Sequence, residues 1–301
     1  MTIEEILRLG KEMGASDIHM AQGTPLLFRV DGQLVPKDLE LMKPADIEAM
    51  MKSVMTKEQQ KELLQTGELD FAFSVSGFSR VRVNVFRQQG TYAASIRMLS
   101  YDVPTPESLG LPASVLELTN CKSGLILVTG AAGSGKSTTL ASLVDVVAKQ
   151  DYKNIITIEN PIEYIHSYKK AIVSQREIGV DTDTYAKGVQ AALRQDPDII
   201  MIGELQDMET ISMALAAAEA GYLVFSALYT NNAVDALTRI IEVFPPHKQQ
   251  QIRVQLASVL RGVVAQQLLP RTDAKGRSAV FEVLLANQAV RNMIREDKNH
   301  Q

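Results

Sequence analysis

A glycine-rich loop that ends in a lysine and a serine is the part of this sequence best suited to chemistry. It fits the pattern G-x-x-x-x-G-K-[ST], in which backbone amides wrap nucleotide phosphates. The loop and the residue after it are Gly130, Ala131, Ala132, Gly133, Ser134, Gly135, Lys136, Ser137 and Thr138. Lys136 would bring a positive charge to the terminal phosphates, and the Ser137 hydroxyl would ligate Mg²⁺. The pattern predicts a binding site for ATP or ADP together with Mg²⁺.

The segments around the loop favour the same interpretation. Gly124–Thr129 is an apolar run typical of a buried strand, and residues 138–147 have apolar positions at helical spacing. The helix would direct its positive end at the phosphates. Helical stretches then alternate with apolar runs at residues 155–158, 171–174, 199–202 and 223–227. This alternation predicts an α/β domain with a mostly parallel sheet, whose functional groups collect at the carboxyl ends of the strands.

Two acidic residues that follow these runs are the candidates for catalysis. Glu204 comes after the run at 199–202, and Glu163 ends the segment that follows the run at 155–158. A carboxylate at such a position can hold the water shell of Mg²⁺, as we expect for Glu204, or orient the attacking water. The alternative is that each is an ordinary solvent-exposed acid of a loop.

The first hundred residues have the pattern of a small α+β module. Thr2 and Glu5 can form a capping box at the start of a helix, and Asp31-Gly32 suits the two-residue turn of a hairpin. Apolar and polar residues alternate at 71–75 and 81–85, as in a half-buried antiparallel sheet.

Arginines from this module are candidates for a role in catalysis. Arg82 lies on the polar face of the alternating run, and Arg97 follows it. Beside a phosphate site such a residue can neutralise charge in the transition state. The alternative for a strand arginine is ordinary surface charge.

A polar stretch with Pro104 and Pro106 separates the two patterns. We expect an N-terminal domain at residues 1–100, a linker at 101–112 and a nucleotide-binding domain at 113–301.

Composition narrows the class of protein. The chain has 301 residues, a net charge of −4 and one cysteine, Cys121. A single cysteine excludes internal disulfides and cysteine-based zinc sites, and the negative charge argues against a broad nucleic-acid-binding surface. No apolar run is long enough to span a bilayer, and no leader pattern opens the sequence. A cytoplasmic protein is expected.

These residues together resemble the PilT-type ATPases that retract type IV pili, within the secretion-ATPase superfamily. Besides the loop, the matching motifs are GASDIH at 14–19, FRVDG at 28–32, RVNVFRQ at 82–88, SQRE at 174–177, ALRQDPD at 192–198 and NMIRE at 292–296. The resemblance covers almost the whole chain.

The resemblance implies an N-terminal PAS-like domain followed by a RecA-like P-loop ATPase domain, assembled into a homohexamer that hydrolyses ATP to power retraction. Arg82 and Arg97 match the arginines that reach the nucleotide in this family. Glu163 matches the catalytic base, and Glu204 matches the Walker B acid. The implied partner is an inner-membrane platform protein of the pilus machine, and the implied location is the cytoplasmic face of that membrane, without insertion. The four-cysteine zinc element of assembly relatives is absent, which favours retraction.

Ala131 and Ala132 replace a Pro-Thr pair common in the family, which is a mild change because backbone amides bind the phosphates, and four further positions depart from the family pattern. Asn160 replaces an aspartate, Gln206 replaces an arginine, and Tyr222 and Tyr229 replace two histidines. Asn160 and Gln206 lose charges, and Tyr229 loses an imidazole that can be cationic. One hypothesis is that ATP binding survives while turnover is reduced. The other is lineage variation with compensation elsewhere.

Three functions are therefore under consideration. The first is the retraction motor, and the second is a nucleotide-binding ring subunit with weak or no hydrolysis that regulates the pilus machine. The third, a nucleic-acid motor on the same core, is disfavoured by the negative charge.

Overall fold

The computed structural model describes residues 1–30, 32–75, 79–98, 103–272 and 276–298. The chain divides into two compact units, Met1–Tyr101 and Asp102–Gln301. Asp31 of the predicted hairpin turn, and the first two residues of the predicted linker, lie outside the described residues. Among the residues described, we find no helix with the length and apolar character needed to cross a membrane.

The first unit is an antiparallel sheet with helices. Its helices are α1 (Ile3–Glu12), α2 (Pro44–Val54) and α3 (Lys57–Thr66), and its strands are β1 (Asp17–Met20), β2 (Pro25–Val30), β3 (Gln33–Leu41), β4 (Glu68–Val75), β5 (Ser79–Gln88) and β6 (Thr91–Met98). The sheet order is β3-β2-β1-β6-β5-β4. The predicted capping box of α1 is confirmed, and β2 pairs with β3 as the predicted hairpin, with Val30 opposite Gln33.

Alternation along β5 separates a core face from a polar face, as predicted. Val81, Val83 and Val85 are fully buried, and they pack with apolar residues of α1, α2 and α3 in one core. Arg82 lies between them on the opposite face. The sheet thereby presents Arg82 away from its own core.

The second unit is built on a seven-stranded sheet of order β13-β12-β7-β11-β10-β8-β9. Its strands are β7 (Gly124–Thr129), β8 (Asn154–Glu159), β9 (Ile172–Glu177), β10 (Ile199–Ile202), β11 (Leu223–Leu228), β12 (Leu260–Pro270) and β13 (Arg277–Leu285). All neighbours are parallel except β12 and β13. The chain is therefore a mixed α/β protein with two sheets.

Helices cover both faces of this sheet. They are α4 (Pro106–Leu109), α5 (Ala113–Glu117), α6 (Lys136–Gln150), α7 (Tyr185–Ala192), α8 (Met208–Glu219), α9 (Ala233–Glu242), α10 (Pro246–Val259) and α11 (Gln288–Arg295). α4 is a single turn that falls inside the predicted linker. Apolar residues of α6 pack on one face of the sheet, and those of α8, α9 and α10 pack on the other. Strands buried on both faces explain the continuous apolar runs in the sequence.

Candidate nucleotide site

The glycine-rich loop lies between the end of β7 and the start of α6, as the sequence predicts. Gly135 has a φ of +90° at the N-cap of α6, a conformation that glycine adopts without strain. Lys136 is buried, and its Nζ donates to the carbonyl oxygens of Gly130 at 2.9 Å and Ala131 at 2.8 Å. Burial lowers the pKa of Lys136, while the Glu204 and Glu163 carboxylates act in the opposite direction. The lysine is thus held at the mouth of the loop.

Both predicted acids lie beside the loop. Ser137, Glu163 and Glu204 line one small cavity, together with Asn160 and Tyr229. Glu204 follows β10 and is half-buried, whereas Glu163 is exposed. The parallel pairing of β8 with β10 brings these acids to the same edge of the sheet. The cavity therefore combines a hydroxyl, two carboxylates and a nearby ammonium group.

Tyr229 occupies the space directly against the loop lysine. Its ring centroid lies 3.9 Å from Lys136 Nζ, within range of a cation–π interaction. Burial and the neighbouring Glu204 carboxylate raise the pKa of the Tyr229 hydroxyl. The position of Tyr229 is set by the next residue, because the Thr230 backbone amide donates to Thr129 Oγ1 at 3.0 Å and thereby joins the ends of β11 and β7.

The four departures from the family pattern do not lie together. Asn160 and Tyr229 line the cavity, but Tyr222 precedes the first residue of β11, at the opposite end of that strand. Gln206 is exposed in the turn before α8. Two of the four positions can therefore act directly on the site.

A buried carboxyl group, Glu159, was not among the predicted site residues. Its Oε1 accepts hydrogen bonds from Thr157 Oγ1 at 2.5 Å and from Gln175 Nε2 at 3.0 Å. Burial raises the pKa of Glu159 to about 7, against the effect of these two donors. The signal in the sequence was that Glu159 directly follows the apolar run at 155–158. An acid that continues a buried strand needs hydrogen-bond partners when it is itself buried.

Several contacts fix the segment that carries Glu163. Gln175 Nε2 also donates to the Tyr164 carbonyl at 2.8 Å, and the hydroxyls of Tyr164 and Thr138 are 3.0 Å apart. Further along, Lys169 Nζ forms an ion pair with the buried Asp145 of α6. The segment between β8 and β9 is thus tied to the same helix that follows the loop.

Arg82 and Arg97 lie in the first unit, directly opposite each other on β5 and β6. Arg97 Nε donates to Asp17 Oδ1 at 3.0 Å, and Arg82 Nε lies 3.9 Å from Asp70 Oδ1. Both side chains are substantially exposed, at 66% for Arg97 and 41% for Arg82. Two neighbouring carboxylates therefore offset the repulsion between the arginines.

Comparison with known proteins identifies the family. The family model described as Type II/IV secretion system protein matches residues 2–301. The chain belongs to this family. It is 40% identical over 298 residues to the Type IV pilus retractation ATPase PilT of Pseudomonas aeruginosa, covering 99% of this chain and 86% of that relative. It is also 40% identical to the Type IV pilus ATPase PilU of the same organism, covering 100% of this chain and 79% of the relative.

A solved structure gives the same assignment. The crystal structure of the pilus retraction motor PilT with bound ADP superposes with a TM-score of 0.95 and 46% identity, covering 100% of this chain and 88% of that one. This member of the type II/IV secretion family is a PilT-like, nucleotide-binding ATPase. The chain is as similar in sequence to PilU as it is to PilT, at 40% identity each.

The buried carboxyl of Glu159 generates a prediction about pH. Its pKa rises from 4.5 to about 7 on folding, so between these values the unfolded chain is ionised while the folded chain keeps the proton. The contribution of Glu159 to the free energy of unfolding therefore falls as the pH rises from 4.5 to about 7, and it is constant above that range. Glu159→Gln keeps an acceptor for Thr157 and has no proton to lose.

We expect Glu159→Gln to gain stability relative to the parent from about pH 5 to about pH 7, with a constant difference at higher pH. Thermal melting of both proteins across this range measures the difference. His166, whose pKa burial lowers to about 4, is common to both proteins and cancels. A difference independent of pH would contradict the prediction.

Proposed function

We propose that this protein is an ATP-hydrolysing hexameric motor that powers type IV pilus retraction. The observation that carries the proposal is the cavity beside the glycine-rich loop, in which Ser137, Glu163 and Glu204 come together. The 40% identity to PilT supports retraction as the work that hydrolysis drives. The negative net charge of −4 supports a protein rather than a nucleic acid as the partner.

In this proposal the residues from Gly130 to Thr138 bind ATP and ADP. Lys136 exchanges its hydrogen bonds with the Gly130 and Ala131 carbonyls for contacts with the terminal phosphates. Glu163 orients the attacking water and accepts its proton as the new oxygen–phosphorus bond forms and the bond to ADP breaks. The exposure of Glu163 gives water direct access to this carboxylate.

The residues present fit a Mg²⁺ ion that accompanies the nucleotide. Within the described part of the chain, no group of three or more His, Cys, Asp or Glu could hold a metal. Mg²⁺ in phosphate-transfer sites needs only one or two protein oxygens, because phosphates and waters complete its shell. The Ser137 hydroxyl and the Glu204 carboxylate would supply these oxygens. The ion would neutralise charge that develops on the phosphates.

The remaining parts of the proposal rest on the family. Residues 1–100 would form a PAS-like domain, residues 101–112 a linker and residues 113–301 a RecA-like ATPase domain, assembled as a homohexamer. Arg82 and Arg97 would reach the nucleotide and stabilise its transition state. The ring would act at the cytoplasmic face of the inner membrane, on a platform protein of the pilus machine, without inserting into the bilayer.

Steady-state ATPase assays test the assigned roles. Lys136→Ala should abolish both ADP binding and hydrolysis, because it removes the charge at the phosphates. Glu163→Gln should keep ADP affinity within about twofold and lower kcat by about a hundredfold, because the amide cannot accept a proton. Undiminished hydrolysis in Glu163→Gln would remove this residue from the mechanism.

Substitution tests the proposed role of Arg82 and Arg97 in hydrolysis. Arg82→Ala and Arg97→Ala should each lower kcat at least about tenfold, while Arg87→Ala, an exposed arginine of the same strand, should leave it unchanged. If Arg97→Ala is unstable, Arg97→Lys, which keeps a charge beside Asp17, replaces it.

Sedimentation of the protein with nucleotide should show hexamers. A monomer at high concentration, with and without nucleotide, would contradict the ring.

The second candidate is a ring subunit that binds nucleotide and regulates the machine with little hydrolysis. One observation favours it: the Tyr229 ring covers Lys136 Nζ at 3.9 Å, where the family pattern has a histidine. To reach phosphate, Lys136 must give up this contact as well as its two carbonyl partners. The similarity to PilU is compatible with a role other than that of PilT.

Reversion to the family pattern separates the two candidates. If the substitutions slow turnover, the double variant Tyr229→His, Asn160→Asp should hydrolyse ATP about tenfold faster than the parent, an effect of about 1.4 kcal/mol on the barrier. Tyr222→His is the matched control, because it makes the same change at the far end of β11. Equal rates in the parent and the double variant would favour the motor with compensation elsewhere.

A further inference from the structure

Gln266 is a buried glutamine at the point where β12 passes the glycine-rich loop. Ala265 pairs with Thr129 on β7, so Gln266 lies beside Gly130, the first loop residue. Its exposed fraction is 3%. Val264, two residues earlier on the same face of the strand, is fully buried in the core under α6. A polar side chain thus occupies a position where the strand pattern predicts an apolar one.

Both ends of the Gln266 amide are hydrogen-bonded. Nε2 donates to the Ser134 carbonyl at 2.7 Å, and Oε1 accepts from Thr139 Oγ1 at 2.6 Å. The first partner belongs to the loop, and the second belongs to the first turn of α6. A buried polar group without a hydrogen-bond partner is costly. Removing the Gln266 side chain would leave the Ser134 carbonyl and the Thr139 hydroxyl in that state.

The loop also rests directly on this side chain. A Cβ added to Gly135 would lie 2.7 Å from Gln266 Nε2, and one added to Gly130 would run into the Gln266 backbone oxygen. The two glycines therefore permit close packing, while Ala131, Ala132 and Gly133 remain exposed on the outer side of the loop.

The bond to Ser134 has a geometric consequence. In a planar trans peptide the carbonyl and the following N–H point in opposite directions. Because the Ser134 carbonyl points at Gln266, the Gly135 N–H points away from β12. A backbone amide on that side is the kind of donor with which such loops bind phosphate oxygens.

We propose that Gln266 is a positioning residue of the nucleotide site. Its amide holds the Ser134 peptide and the start of α6 so that the loop amides keep the orientation that binds phosphate. Gln266 acts through the loop, and the inference rests on the proposed role of residues 130–138 in nucleotide binding. Pre-organisation of this kind lowers the cost of ordering the loop when ligand binds.

The test is ADP affinity of the full chain by calorimetry, with thermal melting of each variant. Gln266→Met has a similar length and cannot make either hydrogen bond. We expect its dissociation constant for ADP to rise about tenfold, the effect of one buried hydrogen bond. Gln267, the next residue in the chain, is exposed and provides the control. The dissociation constant of Gln267→Met for ADP should stay within about twofold of that of the parent.

A second substitution separates positioning from general stability. Adding Thr139→Val to Gln266→Met removes the stranded hydroxyl, so the melting temperature should recover. ADP affinity should stay low, because the Ser134 carbonyl is still unheld. Recovery of both together would overturn the proposal.

If Gln266→Met does not fold by itself, the double variant with Thr139→Val serves instead. It has no stranded hydroxyl and cannot donate to Ser134, so the same loss of ADP affinity is expected. Parent-like affinity in whichever variant folds would overturn the proposal. Lys136→Ala distinguishes this failure from failure of the loop assignment: if it leaves ADP affinity unchanged, the proposed nucleotide role of the loop is wrong.

Discussion

Parallel pairing of β8, β10, β11 and β7 is the constraint on which the site depends. Ile158 pairs with Ile202, and Leu228 pairs with Thr129. The segments that follow these strands therefore leave the sheet at one edge, and they carry the acids, Tyr229 and the glycine-rich loop. All four strands are buried almost throughout, so a slip in register would draw the polar residues that flank the apolar runs into the core. The hydrophobic core thereby determines the positions of the polar site residues.

Buried polar contacts then set the orientation of these segments. Thr129 joins two strand ends, Gln175 holds the segment after Glu163, and Gln266 holds the loop. Such bonds are electrostatically strong because little water competes for them, and each would leave a costly unpaired group if one partner were removed. They therefore restrict the loops to few conformations. Because the loops are already ordered, the binding of a ligand does not have to be offset by the cost of ordering them.

The contacts of Lys136 show how a loop can be intact while its neighbourhood differs from that of relatives. The lysine has two carbonyl partners and an aromatic ring over its ammonium group. Phosphate has to compete with all three for the same charge. A tyrosine in place of a histidine cannot become cationic, so it offers the lysine an attractive π-face instead of a like charge. The affinity of the site for a phosphate ligand therefore depends on how the contacts of Lys136 within the protein compare in strength with its contact to phosphate.

The sequence by itself determined the family, the loop and the strands before and after it, because these follow from local spacing and from continuous apolar runs. Spacing also identified the acids that follow the strands. Only the tertiary structure showed that Asn160 and Tyr229 are at the site while Tyr222 is at the other end of its strand. It also revealed the buried hydrogen bonds that join Glu159 to Gln175 on β9 and Gln266 to Thr139 on α6, which is 127 positions away in the chain. The physical reason is that burial and hydrogen bonding depend on which strands become neighbours, and one-dimensional spacing does not contain that information.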